Sequence, residues 1–395
     1  MGNEPSVTFP LATSTWDQSE YDAIAEVIAS DRYTMGPKVA AFERGFADLF
    51  NVSHAVMVNS GSSANLLAVA CAVLNPDIDL NPGDEVIVPA VSWATTYYPL
   101  QQYGLKLVFV DIDIDTLNID IDQIEAAIGP RTKAIFAVNL LGNPNDFTSM
   151  QTIAEGHGLT ILEDNCESLG AEFNGRPTGT FGAMGTFSSF FSHHIATMEG
   201  GLVLTNDERL HQMLVSMRAH GWTRELPENN AIQVKTGEPF DDLFRFVLPG
   251  YNLRPLEMSG AIGLQQLKKV PQILSARRAN ATLFLDAMAT VEGVRVQREV
   301  GRSSWFGFSL IFEGPFAGRR KEIVNAFARV GIECRPIVAG NFTRSPVMRY
   351  LDASVPTELP AADRVHDDGL FVGNHHYFLD RQFALLADTL QSIKH

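Results

Sequence analysis

The chain has 395 residues, 45% of them hydrophobic and 19% charged, an ordinary globular composition long enough for more than one structural unit. Its net charge of −16 argues against nucleic acid or an anionic membrane as a partner, since both select basic surfaces. Cys71, Cys166 and Cys334 are too widely spaced for a disulfide framework, a zinc site or an iron–sulfur cluster. No signal peptide or membrane-length apolar run is present, so a soluble cytoplasmic protein without a bound metal is expected.

In chain order, short apolar runs at residues 54–58, 85–89, 105–110, 134–139 and 159–163 predict buried strands, each bounded by Gly, Pro, Asn or Asp. Helical patterns lie between them, as at 63–74 and 150–155. Strands alternating with helices predict an α/β fold with a large, mainly parallel sheet covered on both faces. Residues 201–205 begin a further strand after a Glu-Gly-Gly turn, and the polar stretch 224–242 reads as a loop over a site. From about Pro255 a long helix is predicted over 257–269 and 275–290, then candidate strands at 305–312 and 333–336. The expected division is therefore a large domain, residues 1–255, and a smaller α+β C-terminal domain, residues 256–395.

Several segments could carry chemistry. Asn59-Ser60-Gly61-Ser62-Ser63-Ala64-Asn65 follows a strand and opens a helix, which is either a simple helix cap or a cradle of N–H groups for a phosphate. Ser188, far along the chain, could add a hydroxyl to the same anion. Asp164 and Glu167 end a strand, where α/β folds place ligands, and a carboxylate there can pair with a protonated ring nitrogen. Trp93, just after another strand, could stack on a ligand ring or simply fill the core. His193 and His194 adjoin, so on regular backbone they point different ways and do not act as a pair. His220 is a candidate site residue, and Asn252 with Arg254 offers an amide and a carboxylate-binding guanidinium before the long helix.

Taken together and in this order, these segments resemble the DegT/DnrJ/EryC1/StrS family of sugar-modifying enzymes that use pyridoxal 5′-phosphate (PLP), from residues 32–37 through 371–374. The resemblance implies a PLP-dependent transferase fold of type I, similar to aspartate aminotransferase, and a homodimer with sites at the subunit interface. It implies that Gly61, Ser62 and Ser188 hold the cofactor phosphate, Asp164 the pyridine nitrogen and Trp93 the ring face. It further implies that Asn252 reaches the phosphate of the neighbouring subunit's cofactor and that Arg254 binds a carboxylate of glutamate. Glu167 departs from the glutamine common in the aminotransferases.

The register of Ser188 and Glu199 puts His193 in the slot where the family carries its cofactor lysine. No lysine lies within thirty residues of His193. Imidazole can move a proton but cannot form the imine that lysine makes with PLP, so a change of reaction is expected. Segments 192–201, 218–224, 248–260 and 331–342 resemble the branch that removes the C3 hydroxyl of GDP-4-keto-6-deoxy-D-mannose on the route to GDP-L-colitose. That branch uses L-glutamate as amino donor and passes the cofactor through pyridoxamine 5′-phosphate. Rival readings are a sugar aminotransferase working without lysine, a dehydratase for another nucleotide sugar, and a silent PLP-binding protein. CDP-hexose dehydratases of the group carry cluster cysteines that are not apparent in this sequence.

Overall fold

The computed structural model describes residues 7–233 and 235–394. Two helices, α1 (Gln18–Ala29) and α2 (Pro37–Phe50), precede an alternation of strands and helices. It runs β1 (His54–Val58), α3 (Gly61–Leu74), β2 (Glu85–Pro89), α4 (Ala94–Gln102), β3 (Lys106–Val110), α5 (Ile121–Ala127), β4 (Thr132–Val138), α6 (Phe147–His157) and β5 (Thr160–Asp164). A small hairpin follows, β6 (Glu172–Phe173) and β7 (Arg176–Pro177), then β8 (Met184–Ser188), β9 (Gly201–Thr205), α7 (Glu208–Arg218) and α8 (Pro239–Asp242). The remaining elements are α9 (Glu257–Met288), β10 (Val294–Arg295), β11 (Gly307–Phe312), α10 (Arg320–Arg329), β12 (Ala353–Ser354), α11 (Pro360–Asp368), β13 (Gly369–Gly373) and α12 (Asp380–Ile393).

The large sheet has eight strands in the order β1-β9-β8-β5-β4-β2-β3-β12. β9 runs antiparallel to both neighbours and every other pairing is parallel, the mixed, mainly parallel sheet expected. The central strands are buried almost throughout, as their continuous apolar runs require for a sheet covered on both faces. A second, antiparallel sheet, β10-β11-β13, packs its own core around Phe284, Phe308, Phe312 and Phe383.

Three sequence expectations change. The long helix is one unbroken element across Pro271, because the cost of about 3 kcal/mol for an interior proline is outweighed by packing on both halves. A Cβ on Gly260 would lie 2.6 Å from the Val39 backbone and one on Gly263 2.7 Å from the Phe42 ring, so α9 lies directly on α2. Residues 333–336 form no strand; Pro336 has no N–H to donate, and a single bridge pairs Arg335 with Phe371 at the free edge of β13. The strand expected at 305 begins at Gly307, since Trp305 has φ +49° and turns a corner there.

We propose the division at residues 255 and 256 as the boundary of the two units, with an exchange across it in each direction. β12 pairs with β3 of the large sheet, and Phe9 pairs with Ile332 of the smaller unit. His375 fastens the N-terminal segment, lying within hydrogen-bonding distance of the Pro10 carbonyl (2.9 Å) and the Thr13 hydroxyl (3.1 Å).

Burial holds His375 down to about 4 and His194 well below the ordinary histidine range, so both are neutral in the folded protein. The unfolded chain takes up protons near pH 6.5 that the folded chain refuses, so this stability is complete above that pH and is lost as pH falls toward 4. The thermal midpoint is expected to drop by several degrees between pH 7 and pH 5, and His375→Asn to reduce that drop. Equal midpoints in calorimetry at the two pH values would contradict the neutral-histidine account.

Candidate active site

Because β1 and β8 both run antiparallel to β9, they share a direction with the parallel strands. The carboxyl ends of β1, β2, β4, β5 and β8 therefore meet at one edge, the usual ligand edge of an α/β sheet. A cavity of about 330 Å³ opens there, and Gly61, Ser62, Trp93, Asp164, Glu167, Ser188 and His193 all line it.

The floor is a turn between β1 and α3. Ser60 caps the helix, its Oγ accepting from the Ser63 N–H at 3.0 Å, which leaves the Gly61 and Ser62 N–H groups without helical partners. A Cβ on Gly61 would come within 2.6 Å of Ser188 Cβ and 3.0 Å of Cys166 Sγ, so only glycine admits both neighbours. A Cβ on Gly201 would lie 2.3 Å from the Ser60 carbonyl oxygen. The Glu-Gly-Gly turn is thus explained by contact: β9 begins directly beneath the serine turn. Together the helix N-terminus and the Ser188 hydroxyl form a small concavity suited to a phosphate.

Asp164, at the end of β5, is buried and held by three donors. Asn65 Nδ2 and Thr96 Oγ1 donate to Oδ2 at 2.8 and 2.7 Å, and the Cys166 N–H donates to Oδ1 at 3.1 Å. Thr186 in turn donates to Asn65 Oδ1, which fixes the amide with its NH₂ toward the carboxylate. Glu167 accepts from the Leu141 N–H at 3.1 Å, and burial raises its carboxyl above the ordinary range against the lowering effect of Arg335. Trp93 is 58% exposed at the start of α4, which removes the core reading for it.

His193 sits in the loop from β8 to β9, and its backbone N–H donates to the Phe190 carbonyl. Its ring lies 5.1 Å from Phe306, and Nδ1 is buried without a hydrogen-bond partner. Burial, then Arg335, then Arg277 push the imidazole down to about 3, so it is a neutral proton acceptor at physiological pH. His194 turns the other way, fully buried, with Nε2 3.2 Å from the Ser304 carbonyl oxygen. Among the described residues no lysine lines the cavity.

His220, Asn252 and Arg254 lie outside this cavity, in a cluster around Trp222. The His220 ring is 4.7 Å from Trp222, the Arg254 guanidinium is 5.9 Å from it, and Arg254 Nε donates to Asn252 Oδ1 at 2.9 Å. Arg224, at the start of the expected loop, stacks on Trp222 at 4.2 Å, and the expected loop is corrected at its far end, where Pro239–Asp242 form the short helix α8. Sequence reasoning missed Arg335, which lines the cavity with its guanidinium over Phe371 at 4.8 Å; no local pattern marks a site residue so late in the chain. It also passed over Asn65 and Thr96, whose roles appear only through contacts over long sequence separations. Elsewhere, His54, Glu208 and His211 gather closely enough to suggest a metal. The two imidazoles stack face to face 4.0 Å apart, so their lone pairs run side by side and do not converge.

Comparison with known proteins agrees with this geometry. The DegT/DnrJ/EryC1/StrS aminotransferase family matches residues 14–391. A GDP-4-keto-6-deoxy-D-mannose 3-dehydratase of Yersinia pseudotuberculosis is 54% identical over 387 residues, covering 98% of each chain. The structure of the Escherichia coli GDP-4-keto-6-deoxy-D-mannose 3-dehydratase with bound hydrated PLP superposes with a TM-score of 0.95 at 53% identity, covering 98% of this chain and all of that one. A GDP-4-keto-6-deoxymannose 3-dehydratase holding a trapped PLP–glutamate geminal diamine matches with the same score and identity over 97% of this chain and all of the other.

The contact beneath the serine turn is testable without any ligand. Gly201→Ala must displace the Ser60 carbonyl and is expected to cost about 1–3 kcal/mol, as overpacking does. An unchanged thermal midpoint in that variant would show that the turn yields freely.

Proposed function

The chain belongs to the DegT/DnrJ/EryC1/StrS aminotransferase family, and from that premise we propose that it removes the C3 hydroxyl of GDP-4-keto-6-deoxy-D-mannose. The product is GDP-4-keto-3,6-dideoxy-D-mannose, a step toward GDP-L-colitose. The cofactor is PLP, the amino donor is L-glutamate, and the architecture is the fold-type-I α/β class. The observation that carries the reading is His193, a neutral proton acceptor in a cavity that no lysine among the described residues lines.

The residues of the cavity fit PLP. The Gly61 and Ser62 N–H groups with the Ser188 hydroxyl suit its phosphate, and Asp164 suits a protonated pyridine nitrogen. Trp93 offers a ring face, and Glu167 follows Asp164 three residues past the end of β5. When bound, the cofactor supplies an electron sink and carries an amino group between glutamate and the sugar. Three donors fix Asp164 before any ligand arrives, so little reorganisation is needed to stabilise a protonated ring nitrogen. His193 accepts a proton as general base and returns one to the C3 oxygen, which departs as water. Glutamate is oxidised to 2-oxoglutarate, its nitrogen leaves as ammonia, and the sugar loses one oxygen, so the overall reaction balances. Without a lysine to recapture the cofactor, the end point is elimination and hydrolysis, not an amino sugar.

A homodimer belongs to the same proposal. Trp93, Phe190, Phe191 and Met198 stay 41–58% exposed, an apolar surface suited to a second copy. Asn252 of the partner subunit would then reach the cofactor phosphate, with Arg254 for a carboxylate of glutamate and His220 beside the substrate. A cytoplasmic setting fits the nucleotide-sugar substrate. Among the described residues no helix is long and apolar enough to cross a membrane.

With PLP, L-glutamate and GDP-4-keto-6-deoxymannose, the protein is expected to release ammonia and 2-oxoglutarate one for one with sugar consumed. An amino sugar without ammonia would mean an aminotransferase, and no turnover would direct attention to another nucleotide sugar. His193→Asn should keep PLP bound, by absorbance of the isolated protein, while sugar turnover falls at least a thousandfold, roughly the loss of a general base plus general acid. Retained turnover rejects the base assignment. Borohydride treatment of the PLP complex should leave the protein mass unchanged; a pyridoxylated lysine in the mass spectrum overturns the reading of a site without covalent attachment.

A further inference from the structure

Behind His193 the structure turns a corner that the reaction scheme leaves without a role. Trp305, buried and at φ +49°, adopts a left-handed conformation that disfavours bulky side chains. Its carbonyl and that of Phe306 both accept from Arg277 Nη1, at 3.3 and 2.9 Å. Asn374 Nδ2 donates to the Trp305 carbonyl at 2.8 Å and to the Arg277 carbonyl at 3.1 Å, closing the corner onto α9.

Three cavity residues hang from this corner. His193 packs on the Phe306 ring. The Phe306 N–H donates to the Leu141 carbonyl, and the Leu141 N–H donates to Glu167. Phe306 also stacks on Phe371, the ring beneath Arg335.

The choice of arginine needs its own explanation. Arg277 is 5% exposed, its Nε has no partner, and among the described residues no carboxylate lies within ion-pair distance. Asn374 binds the same Trp305 carbonyl with a neutral amide, so tying down a carbonyl does not require a charge. Burying an unpaired cation is unfavourable enough that burial alone holds Arg277 down to about 10. A cation beside an imidazole opposes protonation of that imidazole. The other charged or titratable groups around His193 are Arg335, which acts in the same sense, its neighbour His194, and the cavity residues Asp164, Cys166, Glu167 and Glu199.

We infer that Arg277 is a positioning residue for the dehydration: it anchors the Trp305–Phe306 corner behind His193, and its unpaired charge drives the proton from His193 back to the departing C3 oxygen. The inference rests on His193 as the proton carrier. In that step the C3–O bond breaks, its electron pair leaves with oxygen, and the imidazolium proton completes a water molecule. A nearby fixed cation makes the imidazolium the stronger acid and prevents His193 from stalling in its protonated form.

The test uses the PLP-loaded enzyme with glutamate and the GDP-sugar, following ammonia release across pH 5–9. Arg277→Met is expected to lower kcat ten- to a hundredfold and to bring into this range, from below pH 5, the acid limb that His193 held at about 3 keeps out of it. Arg277→Lys should recover most of kcat and leave the limb near its original place. Phe306→Leu keeps the cation and removes the ring, so kcat should fall without a shift of the limb. This variant also serves if Arg277→Met does not fold. A normal kcat and profile in Arg277→Met overturns the inference, as does Arg277→Lys failing as badly as the methionine variant, or Phe306→Leu with full activity. Persisting turnover in His193→Asn would instead remove the premise, a result separable from every Arg277 outcome.

Discussion

The serine turn between the first strand and the third helix can close only because it carries one glycine itself and meets a second in another segment. Gly61 lets Ser188 and Cys166 approach, and Gly201 lets the Ser60 carbonyl rest on the beginning of β9. This contact joins β1 to β8 and β9 and sets the distance between a helix N-terminus and a serine hydroxyl from the middle of the chain. Asp164 is positioned from the same region, because Asn65, one turn along α3, hydrogen-bonds both to it and to Thr186 of β8. Bare backbone against bare backbone thus assembles groups separated by more than a hundred residues. The polar site follows from packing.

Replacing lysine by histidine at position 193 would mean little if the surroundings still suited an amine. They do not. A lysine needs room to swing toward a bound aldehyde, whereas His193 is wedged against Phe306. Burial and two guanidinium groups hold the imidazole neutral, the state a base must start from. Burial also pushes the Cys166 thiol well up, so the sulfur beside the cavity is a packing group and a poor nucleophile. The lining of the cavity is suited to proton movement and anion binding.

Much of this was legible in the sequence because the relevant signals are local. β1, β2 and β9 begin and end where their apolar runs predict, since strands buried on both faces need uninterrupted hydrophobic residues. Seven candidate residues meet at one cavity because each ends or follows a strand, and strand ends share an edge. The failures are non-local. The helix expected in two pieces, 257–269 and 275–290, is carried through Pro271 by tertiary packing; Arg335 lies in a stretch expected to be a strand, where it forms only a single bridge with Phe371 and lines the cavity. His220, Asn252 and Arg254 gather around Trp222 instead of the cavity, an arrangement to which a single chain gives no purpose.

The two residues of β12 have a mechanical consequence. Ala353 and Ser354 belong to the stretch that carries the smaller sheet, yet they pair with Leu107 and Val108 at the edge of the large one. At the other end, Phe9 of the N-terminal segment is pinned to Ile332. If the proposed units moved against one another, the β12–β3 pairing would have to break or move with them. The edge of the large sheet and the N-terminal segment are thus both tied to residues of the C-terminal stretch, far from the cavity that holds His193.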